Sequence, residues 1–273
     1  MKKLIAIMLA LVMVLGLVAC APANEDNGSE SSNDTVTNEQ TFTTVESGKL
    51  IMATNAAFPP YEYIEGNEIV GIDAEIAKAI ADKLGLELVI QDMEFDSIIE
   101  SVKSGKADIG LAGLTVTDER KEAVDFTESY ATGVQVIIVA ENSPITCADD
   151  LFAEGASHKI GVQRATTGDL YTTWDLEDNG LATIDRYSKG ADAVQALKTG
   201  KVDCVVIDNE PAKAFVEAVE GLKILETEYI QEQYAAAMNK ENTALYEAVN
   251  NALKALIEDG TVKGIIDKYI PAE

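Results

Sequence analysis

Between residues 48 and 271 the chain alternates between two hydrophobic periods. Short apolar runs of strand length recur at residues 49–54, 86–90, 108–112, 134–140, 159–162, 183–187, 202–208, 222–225 and 234–238. Between several of them the apolar positions repeat at helical spacing, as at Ile76, Ala79, Ile80 and Leu84, with Asp73 placed to cap that helix and Gly85 to stop it. Further helices are predicted over residues 190–197, 209–219, 243–257 and 262–269, and a hairpin turns at Gly66 and Asn67. Strands of near-continuous apolar character that alternate with helices predict an α/β chain whose parallel sheets are covered on both faces.

One stretch occurs twice. KSGKADIGLAG (103–113) and KTGKVDCVVID (198–208) share Lys, a hydroxyl residue, Gly, Lys, a small apolar residue and Asp in order, each after an amphipathic helix. Two such units predict two sheets, each with a ligand-facing edge at the carboxyl ends of its strands. The first unit runs into Gly113, then Thr117 as an N-cap and Arg120 at a helix start; the second ends on Asp208. A guanidinium and a carboxylate facing each other across one gap would complement a zwitterion. Blander readings stay open: a surface Arg120 paired with Glu119 or Asp125, and an Asp208 that only caps the following helix.

Two polar loops sit where such a gap would open. After the first strand, Asn55, Phe58 and Tyr61 lie in a proline-broken loop. Residues 163–169, QRATTGD, form a turn opening a helix, with N–H groups suited to an anion or with an ordinary threonine cap.

The full chain of 273 residues has a formal net charge of −26, which disfavours nucleic acid and anionic lipid headgroups as partners. Residues 1–19 read as an export signal: Lys2 and Lys3 precede an apolar core too short to span a membrane. Without them 19 basic residues face 47 acidic ones, a net −28. Leu17-Val18-Ala19-Cys20 resembles the lipobox of bacterial lipoproteins, with Cys20 as the lipidated residue; a plain secretory peptide is the alternative. Residues 20–47, polar and acidic, read as a disordered tether reaching about 30 Å. No CxxC or HExxH occurs and His158 is the single histidine, so neither a histidine metal site nor a Ser-His-Asp triad is expected, and no cofactor. Cys147 and Cys204 are expected to remain unbridged.

The runs ATNAAFPPYEY, GIDAEIAKAIADKLG, LAGLTVTDER, VDFTESY, GVQRATTGD and DCVVIDNEPA, in this order, resemble the bacterial extracellular solute-binding proteins that deliver polar amino acids to ABC transporters. The resemblance implies a type II periplasmic-binding-protein-like fold of two lobes joined by two hinge strands, here residues 48–132 with 233–273, and 133–232. It implies a monomer without catalytic residues, held on the outer face of the cell membrane by lipid at Cys20, which serves a permease and its ATPase. By position, Arg120, with Thr115 and Thr167, would hold the ligand carboxylate. Asp208, the Gly113 carbonyl and Thr115 would hold its ammonium. Phe58 and Phe95 would flank the side chain, Asn55 and Gln163 would meet its tip, and Thr166 would also belong to the ligand-binding set. Relatives that bind cationic or glutamine side chains often place Asp where this chain has Asn55, so an uncharged polar ligand such as glutamine is expected. A cationic amino acid is the alternative if Glu62 or Glu210 supplies charge. Some dehydratases acting on prephenate-like acids, and some receptor sensory domains, share the scaffold.

Overall fold

A computed structural model describes residues 42–271. The export signal, Cys20 and residues 20–41 of the tether lie outside the described residues.

Among the described residues nine strands form one continuous sheet rather than the two sheets expected, because two long strands pair across both sets. The first set, β1 (Lys49–Thr54), β5 (Glu87–Asp92) and β6 (Ile109–Gly110), is parallel, with β1 in the middle. The second, β8 (His158–Gln163), β9 (Ala182–Tyr187) and β10 (Cys204–Asp208), is parallel around β8. Two long strands join the sets: β7 (Asp125–Ala140) and β12 (Ile230–Met238) pair antiparallel, β12 continuing onto β6 and β7 onto β10. β11 (Leu222–Ile224) adds to the far end of β7. Off this sheet, β2 (Ala57–Phe58), β3 (Glu62–Glu65) and β4 (Glu68–Val70) form the expected hairpin and its extension. The architecture is the two-lobe α/β arrangement with two connecting strands.

Both faces of the inner parallel strands β1, β6, β10 and the end of β8 are buried, which explains their unbroken apolar runs, while the edge strands β5 and β9 are partly exposed. Along β10, Val205 and Ile207 pack into one cluster while Cys204 and Val206 pack into another. Along β1, Leu50 and Met52 meet Ile72, Ile76 and Ile80 of α1 (Ile72–Leu84) and Leu245, Val249 and Leu253 of α7 (Thr243–Glu258). Ile51 and Ala53 face Ile98 and Val102 of α2 (Ile98–Lys103) instead. The remaining helices are α3 (Asp118–Ala123), α4 (Thr167–Thr172), α5 (Gly190–Lys198), α6 (Asn209–Ala218) and α8 (Thr261–Tyr269). No helix among the described residues is long and apolar enough to cross a membrane.

The sequence repeat is a structural repeat, bond for bond. Ser104 and Thr199 each close the preceding helix with backbone N–H and hydroxyl donated to the same carbonyl, of Glu100 and Gln195 respectively. Gly105 and Gly200 follow at φ +70. Asp108 donates its N–H to Ile51 O at 2.8 Å while its Oδ2 accepts from Ile51 N, tying the unit to β1. Asp203 makes the same pair with Lys159, tying the second unit to β8.

Three expectations need correction. Asp73 does not cap α1: Gly71 occupies the N-cap, and the Asp73 carboxylate turns inward instead. The strand expected over residues 108–112 pairs only at Ile109 and Gly110, because β12 runs alongside for two residues before the chain turns away. The strand expected over 134–140 begins at Asp125, since β12 supplies partners from Asp125 to Gln135. The single histidine, His158, is the first residue of β8. Cys147 and Cys204 are both free, and burial in β10 pushes the Cys204 thiol upward.

Candidate functional site

Both units deliver their last residues to one cleft of about 300 Å³, counting the space toward its mouth. The ten residues expected at the ligand line it: Asn55, Phe58, Phe95, Gly113, Thr115, Arg120, Gln163, Thr166, Thr167 and Asp208; Tyr61, singled out in the same loop, lines another cavity. Glu62 and Ala112 complete the lining.

On one side the chain leaves β6 through Gly113, which has φ +53 and whose Cβ, were there one, would lie 2.9 Å from Phe58 Cε1. Only glycine takes this conformation without strain and leaves room for the ring. Thr117 caps α3 as expected, its hydroxyl accepting from Arg120 N at 3.1 Å. The Arg120 side chain folds back into the cleft rather than onto the surface. Its Nη1 donates to Thr115 O at 2.8 Å, its Nη2 to Ala165 O at 3.1 Å, and the guanidinium stands 5.5 Å from the centre of the Phe95 ring. Asp125 pairs with Lys240 instead, and Arg120 is buried. The surface-pair reading therefore fails. Burial pulls the guanidinium below its ordinary value, while Glu232 and Asp208 act in the opposite sense.

On the other side Asp208 ends β10 and stands at the N-cap of α6 without capping it. Its Oδ2 accepts from Gln135 Nε2 at 2.7 Å, and its Oδ1 has no hydrogen-bond partner. Gln135 also donates to Glu232 Oε2 at 3.0 Å, and the Thr115 hydroxyl donates to the same oxygen at 3.0 Å. Burial first, then the neighbouring Glu232, pushes the Asp208 carboxyl well above the ordinary carboxylate range. Thr166, expected as a cap of α4, donates its hydroxyl backward to Gln163 O at 2.8 Å. Ala165 just before it is held at φ +60, which presents its carbonyl to Arg120.

Several contacts cross the cleft. Gln163 Nε2 donates to Asn55 Oδ1 at 3.0 Å, the Thr115 and Thr167 hydroxyls are 3.4 Å apart, and Arg164 reaches Asp96 at 3.6 Å.

Sequence reasoning missed Gln135, Glu232 and the inward role of Asp73. Gln135 pairs with Ile230 and Glu232 with Gly133, which makes the two side chains diagonal neighbours on one face of the β7–β12 pair, and polar residues in such strands give no sign of which face is buried. Asp73 Oδ2 accepts from Gly113 N at 2.8 Å and from the Tyr130 hydroxyl at 2.9 Å, partners 40 and 57 residues away.

The sequence model of the bacterial extracellular solute-binding proteins, family 3, matches residues 50–272. The chain belongs to this family. It is 31% identical over 275 residues to the arginine-binding extracellular protein ArtP of Bacillus subtilis, covering all of both chains. It is 30% identical to ABC transporter arginine-binding protein 1 of Escherichia coli, covering 85% of this chain and 94% of that one. Among solved structures, an ancestral arginine-binding protein bound to arginine superposes with a TM-score of 0.76 at 37% identity, covering 82% of this chain and 98% of that one. The ancestral arginine-binding protein bound to glutamine gives the same score and identity, covering 83% and 100%.

Proposed function

We propose that this family member is the extracellular binding component of an ABC importer, which captures a polar amino acid in the cleft and delivers it to a membrane permease and its ATPase. The observation that carries this reading is the pairing of a buried, ion-pair-free Arg120 with a buried Asp208 whose Oδ1 lacks a donor, both lining one cleft. A zwitterion supplies the two groups these residues lack, and charge-assisted contacts at both ends offset its loss of water. In this reading Arg120, Thr115 and Thr167 hold the carboxylate, and Asp208, Gly113 O and Thr115 hold the ammonium. Phe58 and Phe95 flank the side chain, while Asn55, Gln163 and Thr166 surround its tip. The lobes are residues 48–132 with 233–273, and 133–232, and the bonds crossing the cleft are those that would break on opening. Binding shifts the open–closed balance by the ligand's difference in affinity for the two states.

Asn55 favours an uncharged side chain such as that of glutamine. Glu62 favours a cationic one: it is fully buried, lines the cleft, and neither carboxyl oxygen has a hydrogen-bond partner. Glu210 lines a different cavity and pairs with Lys213, which leaves Glu62 as the group for a ligand cation. The protein acts without turnover and as a monomer, tethered to the outer face of the membrane by lipid at Cys20. A thermal-shift and calorimetric screen of the twenty amino acids checks the whole reading. Tight binding is expected among the polar ones and none to the aliphatic ones, with arogenate left unconverted.

A further inference from the structure

Glu62 and Asp73 are two buried acids side by side, and their oxygens are short of donors. Asp73 Oδ2 is fully occupied by Gly113 N and the Tyr130 hydroxyl, but its Oδ1 has no partner, and neither has either oxygen of Glu62. A proton on Glu62, donated to Asp73, would supply the missing donor. The groups facing Glu62 are acidic or phenolic: Asp73 on α1, Asp208 on β10, Asp92 on β5, and Tyr61 and Tyr130, with Glu210 of α6 acting on Tyr61. Arg120, the one cation among the cleft-lining residues, donates to the carbonyls of Thr115 and Ala165.

We propose that Glu62 is a specificity residue that stores a proton: protonated and bonded to Asp73 in the empty or glutamine-filled cleft, it releases that proton to solvent when a ligand's side-chain cation takes its place. This rests on the reading that the cleft accepts a cationic amino acid. Burial, followed by the Asp73 charge, holds the Glu62 carboxyl well above the ordinary carboxylate range, in the direction the exchange needs. An incoming guanidinium supplies the donors both acids lack and stabilises the ionised form. Because Asp73 also holds Gly113 N, the same pair links the occupant of the side-chain pocket to the turn that faces the ligand ammonium.

Calorimetric titration of the purified protein with L-arginine and L-glutamine near pH 6.5, in buffers of different ionisation enthalpy, counts the protons released. Asp208 meets the same ammonium in both ligands, so its contribution is common to both and cancels. Arginine should release up to one proton more than glutamine, and its affinity relative to glutamine should rise up to tenfold per pH unit while Glu62 stays protonated. In Glu62→Gln the excess should vanish, the proton counts for arginine and glutamine becoming equal. Equal proton counts for the two ligands on the native protein, or an excess that persists in Glu62→Gln, would overturn the exchange and leave the binding function standing. Failure of arginine to bind the native protein at all would remove the cationic reading and the exchange together.

Discussion

The two α–glycine–β units follow the same backbone plan and end in opposite chemistry. From Ser104 and Thr199 to Asp108 and Asp203 they match bond for bond, and Gly113 and Asp208 occupy equivalent places at their ends. The first unit uses that place for a bare backbone turn and puts its charge seven residues later, on an arginine with two of its donors on carbonyls. The second puts its charge directly at the strand end, on an aspartate with an idle oxygen and Glu232 beside it. The scaffold is thus indifferent to charge, and specificity lies in the residues just beyond the shared bonds. It also leaves the cleft unequal: its cationic end has two guanidinium N–H groups bonded to carbonyls and others free for a carboxylate, while its acidic end, with Glu62 and Asp73, is short of donors. A guest rich in N–H groups fits that imbalance.

Changes at the two unit ends should have the largest effects. Arg120→Ala and Asp208→Ala are each expected to weaken amino-acid binding by about a hundredfold or more by calorimetry, because each leaves an opposite charge of the ligand buried and unpaired. Gly113→Ala comes next, since it forces a Cβ onto Phe58 and strains the turn; a tenfold or greater loss of affinity and about 1–3 kcal/mol of stability are expected from titration and denaturant unfolding. Asp108→Asn and Asp203→Asn sharpen the comparison from its shared side. Each removes one strand-tying carboxylate, and each should cost a similar amount, about 1–2 kcal/mol in unfolding experiments, without altering which amino acid is bound.

The smallest effect concerns pH. Burial, outweighing the Gly113 and Tyr130 hydrogen bonds, raises the Asp73 carboxyl from 3.8 to about 6. Between these values the folded form holds a proton that the unfolded chain has lost, so stability falls as pH rises from about 4 to 6 and levels off above. About 1 kcal/mol of that fall lies between pH 5 and 7. Unfolding of the native protein and Asp73→Asn at pH 5, 6 and 7 should show a steeper fall in the native protein than in the variant.

The sequence repeat made the two strand ends legible, because its landmarks are local: a helix-closing hydroxyl, a glycine and an acid each act within a few residues or on the next strand. For the same reason Thr117, Gly85 and the Gly66 turn took their expected roles. Asp73 did not, since an acid at a helix start has a local role by default and its actual partners come from distant chain segments. Gln135 and Glu232 were hidden in the same way, inside long strands whose pairing places them beside Thr115 and Asp208. The cleft lining was readable as residue types. The hydrogen bonds that leave one end of it unsatisfied were not, because they depend on three-dimensional proximity.

The most direct test is a crystal structure of the protein with a bound amino acid. The ligand carboxylate should lie within hydrogen-bonding distance of the Arg120 guanidinium and its ammonium within reach of Asp208 Oδ1. An amino acid held elsewhere, or seated in the cleft with neither group meeting these residues, would contradict the account.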